Sequence, residues 1–264
     1  MTEPFKYVFG PVRSWRLGRS LGVDPLSAKS KICNMNCIYC QLGKTAHLNQ
    51  ERKVYVSTED VVNEIRRIPL HFADHITFAG RGEPTLASNL GDMIRAIKSI
   101  RQEKIAVLTN SSLMVLKEVR EDLGLADFIL AKLDADNQKL FQEMDQGKGL
   151  DLKKIIRGMM DFRSSFKGRL AIQIMLVDQN IDHIEEIAQV TRQLGADEIQ
   201  LDTPLRPSAI TPLDRQRVQW AKNFFKDMPV VSVFDAPLQA YIPIDERATM
   251  RRHGNYRKNV GKKY

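Results

Sequence analysis

Cysteine is nearly absent from this chain: 264 residues contain three, and all fall within the eight positions from 33 to 40. An odd number on such short spacings is poor material for disulfides, so a metal site is the better reading of the cluster. Long hydrophobic runs are missing too. None approaches the roughly 18 residues needed to cross a bilayer, which excludes a helical membrane span. The opening MTEPFKYVFG lacks the charged-then-apolar order of a secretory signal, so the expectation is a cytoplasmic protein. There is no internal repeat and no low-complexity linker, which argues against an array of domains. A phosphate-binding P-loop is absent as well. Gly43-Lys44-Thr45 resembles its end, but the motif needs glycine at position 38, where this chain has Ile38. His71, His75, His183 and His253 share no ligand spacing.

What is present is ordinary in bulk, with 43% hydrophobic and 27% charged residues, enough for one sizeable core. The formal charge of +8 is unevenly spread. Residues 247–264 carry seven Lys or Arg and no acid, leaving 33 bases and 32 acids elsewhere. The body is nearly neutral and the basicity belongs to the end. A solvated end explains this; so does an arm for a polyanion such as tRNA.

Short β-rich runs at 20–26, 75–80, 104–110, 128–135, 170–177 and 198–204 are mostly continuous apolar stretches, as in parallel strands covered on both faces. Amphipathic stretches lie between them at 57–68, 89–100, 112–123, 152–166 and 183–195. The first opens on a Ser57–Asp60 or Thr58-type cap and sets Val61, Ile65 and Ile68 on one face; the last ends on Gly195. Six strands with intervening helices predict an α/β fold, a partial TIM-type (β/α)6 barrel. A closed eight-fold barrel usually needs about 250 residues, and the stretch past 210 reads as irregular. The expected organisation is a barrel domain over 1–210 and an extension with a basic tail over 211–264.

The segment KICNMNCIYCQLGK spaces Cys33, Cys37 and Cys40 as C-x3-C-x2-C. Thiolates this close can point inward around one cube of iron and sulfide. Three protein ligands to four irons leave one iron open, and an open position is where chemistry happens. Zinc is the competing reading: Cys33, Cys37, Cys40 and His47 would make a closed structural site in a non-catalytic RNA-binding protein. Against it, the loop is apolar, follows a strand and has no second knuckle.

The triplet, with the aromatic Tyr39 before its last cysteine, resembles the radical S-adenosylmethionine superfamily. GPVRSWRLGRSLGVDPL, CIYCQLGKT and FAGRGEPTL extend the resemblance over roughly residues 8–210, to a subgroup similar to the tRNA wyosine-synthesis type of radical enzyme. The resemblance implies a [4Fe–4S] cluster on Cys33, Cys37 and Cys40. It also implies S-adenosylmethionine chelated at the open iron through its amino and carboxylate groups. One electron, from a donor of flavodoxin or ferredoxin type, then breaks the S–C5′ bond and yields a 5′-deoxyadenosyl radical that takes hydrogen from the substrate.

By the same resemblance Tyr39, Gly80, Gly82 and Glu83 are cofactor-binding residues, with Glu83 taking the methionine ammonium. Asn110 and Ser111 end the third strand, on the face where barrel sites lie; Ser111 would equally serve as a helix N-cap. Lys132 and Asp134 stand in an otherwise apolar strand and must find partners, or burial is costly. Asp134 is expected at the ribose or substrate and Lys132 at a carboxylate or phosphate, a catalytic pair unless they bridge each other. Asp202 ends the last strand, near the adenine, with Arg206 beyond it as a holder of an anionic substrate group.

Committing all three cysteines to one cluster excludes a second thiolate-held cluster, a methyl-accepting thiol and a thiol hydrogen donor. The chain departs there from wyosine-forming enzymes, which carry a second cluster, and methylthiolation is disfavoured. A one-cluster enzyme acting on tRNA, a protein or a phosphorylated metabolite survives, as does an activase that installs a glycyl radical on a partner.

Overall fold

The apolar runs and the capped amphipathic segments between them become strands and helices in near-strict alternation. The computed structural model describes residues 4–235 and 242–253. A hairpin opens the chain, β1 (Val8–Ser14) and β2 (Gly18–Val23). The cysteine loop follows, then α1 (Thr58–Arg66) and β3 (His75–Phe78). Next come α2 (Leu90–Lys98), β4 (Lys104–Thr109), α3 (Lys117–Leu123) and β5 (Phe128–Lys132). Two helices, α4 (Gln138–Asp145) and α5 (Leu152–Ser165), precede β6 (Arg169–Met175). The chain continues through α6 (Ile184–Gln193), β7 (Glu198–Asp202), α7 (Arg215–Ala221) and β8 (Val230–Ser232) to α8 (Glu246–His253).

All eight strands form one sheet in sequence order. β1 pairs antiparallel with β2, and β2 through β8 are parallel. A sequential parallel sheet with helical crossovers curls with its helices outside, and here it stops short of closure, as a partial TIM-type barrel. The alternation of side chains then splits the apolar residues in two. Ile76, Phe78, Ile105 and Val107 join the large core under the helices. Ala106, Phe128, Leu130 and Ala171 face the other way and pack on Leu17, which the β1–β2 turn brings into the lumen.

Helix starts follow the expected chemistry. The Ser57 hydroxyl accepts from Asp60 N at 3.0 Å, and Asn137 and Asp151 cap α4 and α5 the same way. The stretch 112–123 is not one helix. Residues Ser112–Val115 form a 3-10 turn, Leu116 is extended, and α3 begins at Lys117. Ser111, expected as the cap there, is left-handed (φ 68°), and its hydroxyl donates instead to Lys132 O at 3.0 Å.

Two strands exceed the six expected. β1 carries Gly10-Pro11 and an arginine, and β8 has three residues, so neither gives an apolar run. β8 extends the sheet, and α8 packs on β1. No helix among the described residues is long and apolar enough to cross a membrane. Of the basic run 247–264, residues 254–264 lie outside the described residues.

Candidate active site

The cysteine loop lies at the C-terminal ends of the strands, anchored on both sides. Ile32 N donates to Arg81 O at 2.9 Å, and Glu83 N to Ile32 O at 3.0 Å, so the loop's start lies as a parallel bridge along Gly82. A β-carbon at Gly82 would sit 1.6 Å from Ile32 O, and φ there is 159°, so only glycine fits. Further along, Asn36 N donates to Asp145 O and Ile38 N to Met144 O, both at 2.9 Å, fixing the loop to the end of α4. Cys40 N closes a turn on Cys37 O at 3.0 Å.

These anchors place the cysteines in two polar neighbourhoods. Cys33 is beside Asn110, whose amide lies 3.7 Å from its sulfur and donates to Asn34 Oδ1 at 2.8 Å. Asn34 donates in turn to the Ser112 hydroxyl at 2.7 Å, which donates back to Asn110 Oδ1 at 2.6 Å. The same Asn110 gives its backbone N–H to Glu83 at 2.7 Å. Glu83 also accepts from the Thr109 hydroxyl at 2.6 Å and from the Thr85 hydroxyl and N–H at 2.7 and 3.1 Å. Those four donors are its partners among the described residues, and no cation is among them. Burial pushes the Glu83 carboxyl above its usual value, against the pull of the four bonds.

Cys37 is beside the second group. Lys132 pairs with Asp145 and, at 3.0 Å, with Asp134; all three are largely out of solvent. Burial alone would lower Lys132, but the two carboxylates outweigh it and hold the ammonium well above its usual value. Burial pushes the Asp145 carboxyl up, opposed by Lys132 and reinforced by Asp134. Asp134 accepts from the Tyr39 hydroxyl and from Met175 N at 2.7 Å. Lys132 and Asp134, expected at the reacting atoms, are thus tied to each other and to the cysteine loop.

A cavity of about 390 Å³ occupies the lumen beside Tyr39 and Cys40. It runs past Gly80 on one wall to Gln173 and Asp202 on the other. Asp202 accepts from Gln173 at 3.0 Å and pairs with Arg16, which the β1–β2 turn delivers into the lumen. Arg206 donates to Gln41 Oε1 at 2.9 Å, tying the exit of β7 to the cysteine loop. Glu83, Asn110 and Ser111 are not among its lining residues.

The structure therefore gathers Cys33 with Glu83 and Asn110, and Cys37 with Tyr39, Lys132 and Asp134, while Asp202 lies across the lumen. Sequence reasoning missed Asn34, Asp145, Arg16 and Gln173, while Ser112 was read with Asn110 and Ser111 as a polar strand end. Asn34 had a usable signal, standing inside the cysteine loop; Asp145 ends an unread helix and had none.

The donor set can be tested against a metal group. All three thiols are free of disulfides. Burial, with Glu83 adding to it, pushes the Cys33 thiol up to about 11, and burial raises Cys37 well above its usual value. Thiols so placed become thiolates when a strongly positive centre takes them. Among the described residues no three His, Cys, Asp or Glu side chains are gathered tightly enough for a single ion, so the Cys3His zinc set is not assembled. A cube spreads its ligands more widely than one ion does, and three thiols on one loop suit it.

Known proteins resemble the chain in sequence and in fold. The profile of the radical SAM superfamily matches residues 28–190. A UPF0026 protein of Synechocystis sp. is 39% identical over 240 residues, covering 88% of each chain. TYW1 with a lysine–pyruvate adduct bound has the same fold, with a TM-score of 0.64 at 17% identity over 81% of this chain and 76% of that one. Streptococcus suis SuiB bound to S-adenosylmethionine gives 0.58 at 16% identity, over 77% and 48%. The two solved structures speak for the fold alone, but the profile spans the cysteine loop and the strands from β3 to β6. Shared descent accounts for the likeness, and the chain belongs to the radical SAM superfamily.

Proposed function

We propose that Cys33, Cys37 and Cys40 hold a single [4Fe–4S] cluster, and that S-adenosylmethionine bound beside it is cleaved reductively to start radical chemistry in the lumen. The observation that carries this reading is the link from Cys33 through Asn110 to Glu83: a thiol and a buried carboxylate without a cation, held by one side chain. When bound, the cluster supplies one electron that breaks the sulfonium S–C5′ bond.

The chain's own residues do the rest. Gly80 presents bare backbone to the cavity, and Glu83, three residues on, supplies the negative charge that favours the methionine ammonium. Asn110 and Ser112 orient the Cys33 side of the loop, with Ser111 joining the ends of β4 and β5. Lys132, Asp134 and Asp145 hold Tyr39 and the Cys37 side, acting as positioning residues. Asp202 offers its carboxylate on the adenosine side. The Leu17 cluster closes one end of the lumen and excludes water.

Free thiols ask for a reducing compartment, so we place the protein in the cytoplasm with a flavodoxin- or ferredoxin-type electron donor. The basic composition of 247–264 supports a polyanion such as tRNA as a partner, and filter binding of tRNA at two salt concentrations tests it.

Anaerobic reconstitution with iron and sulfide tests the cleavage. The expected product is a brown protein with about four irons per chain, releasing 5′-deoxyadenosine on addition of dithionite. Undiminished release by Cys37→Ala would refute the assignment, and one zinc with no iron would point to a closed structural site.

A further inference from the structure

The side-chain amide of Asn110 has two hydrogens to place. One goes to Asn34 Oδ1 at 2.8 Å. The other is left for the Cys33 sulfur, 3.7 Å from the nitrogen. Which end of the carboxamide faces that sulfur is fixed by the backbone. The Ser112 N–H can only donate, and it does so to Asn110 Oδ1 at 3.0 Å. The oxygen therefore points to Ser112, and the nitrogen to Asn34 and Cys33.

Three side chains hold that orientation. The Ser112 hydroxyl donates to Asn110 Oδ1 at 2.6 Å and accepts from Asn34 Nδ2 at 2.7 Å. Each member of the ring donates to the next, so the three bonds polarise one another in one sense. Asn34 is fully buried and Ser112 is 1% exposed, which keeps water from competing. Asn34 adjoins Cys33 in the chain, while Asn110 and Ser112 follow β4, so the ring clamps the cysteine loop to the sheet.

We propose that Asn110 is a positioning residue that raises the reduction potential of the cluster through an N–H···S bond to Cys33, with Asn34 and Ser112 holding its amide in place. The inference rests on Cys33 being a cluster ligand. An N–H aimed at a ligating sulfur draws off electron density. The reduced cluster, richer by one electron, gains more from this than the oxidised one. The bond thereby eases the one-electron reduction on which cleavage of S-adenosylmethionine depends.

Redox titration of the anaerobically reconstituted protein, followed by electron paramagnetic resonance, tests this. S-adenosylmethionine is left out, which keeps ligand binding out of the comparison, and substituting the Asn110 side chain spares its backbone N–H to Glu83. Asn110→Ala should make the cluster about tenfold harder to reduce, a midpoint about 59 mV more negative for a one-electron couple. Ser112→Ala opens the ring but keeps the Ser112 N–H on the carboxamide oxygen. Its shift should be in the same direction and smaller, about twofold, and it serves if Asn110→Ala does not take up iron. In protein carrying asparagine labelled with nitrogen-15 at the side-chain amide, electron–nuclear double resonance of the reduced cluster should show a nitrogen coupling that Asn110→Ala abolishes. A ring that only braces the loop would cost stability or iron content and leave both readouts unmoved. With the cluster fully loaded, an unchanged or raised midpoint in Asn110→Ala, or in Ser112→Ala where it stands in, would overturn the inference, as would a nitrogen coupling that survives Asn110→Ala. Failure of the wild type to take up iron and sulfide would overturn the cluster reading itself, and the inference with it.

Discussion

Two glutamates show how single residues mark function here. Glu83 is buried with four hydrogen bonds and no cation, and burial raises its pKa; Glu103, half-buried ahead of β4, has its pKa lowered. Burial would raise Glu103 too, but Arg101 outweighs it, with Nε and Nη2 at 3.0 and 2.5 Å and both side chains at most 5% exposed. Arg101 also donates to Ile68 O and Pro69 O, tying down the end of α1. The structural glutamate has its cation within the protein; the one beside Cys33 is left to find one elsewhere. Glu103 accordingly has a pH signature. Its lowered pKa means that its contribution is complete above the unfolded value of about 4.5 and is lost as pH falls from there through the depressed folded value. Glu103→Gln should cost about 3 kcal/mol at pH 7. In urea titrations the gap from wild type should be the same at pH 7 and pH 5 and should narrow below about 4.5. A gap that stays constant at lower pH would contradict the ion-pair account.

Among the elements, α8 departs furthest from its appearance in the sequence. The run RATMRRHG sits where basic residues outnumber acids, and composition reads it as a solvated end. Instead Arg252 is 1% exposed at its side chain and pairs at 2.8 Å with Asp24, which is fully buried at the end of β2. The helix's last carbonyls accept from Gln41 of the cysteine loop and from Arg81 of the loop after β3. A buried arginine is invisible to hydrophobic periodicity, because its partner lies 228 residues away. The stretches 57–68 and 152–166 were legible because their caps and apolar faces are local. Arg252→Ala strands the Asp24 carboxylate and should cost about 3–5 kcal/mol in urea unfolding. Hydrogen exchange should show the amides of 246–253 losing protection before the rest of the fold. Unchanged protection there would mean that the pair does not hold α8.

At the scale of the whole molecule, the parallel strand order was readable because each βα unit is written in consecutive residues. The curl was not. It brings the β1–β2 turn against β4, β5 and β6, and Arg16 against Asp202, contacts that no local pattern encodes. The proposed cluster ligands Cys33, Cys37 and Cys40 stand close together in the sequence itself, whereas Lys132 and Asp134 needed the structure to reveal Asp145 as a second carboxylate on the lysine. An open barrel has two unjoined edges, so something must tie its lumen together. Leu17 does so, 4% exposed, between Ala106 and Ala171 and the larger Phe128 and Leu130. Leu17→Ala should leave a void there and cost about 3 kcal/mol. Because the contact joins the hairpin to the middle of the sheet, the loss should be global. In a Trp220→Phe background, Trp15 fluorescence reports the turn and far-UV circular dichroism reports the whole chain. Both urea midpoints should fall together in Leu17→Ala. A shift of the Trp15 midpoint alone would show the turn to be a local appendage that leaves the sheet to stand without it.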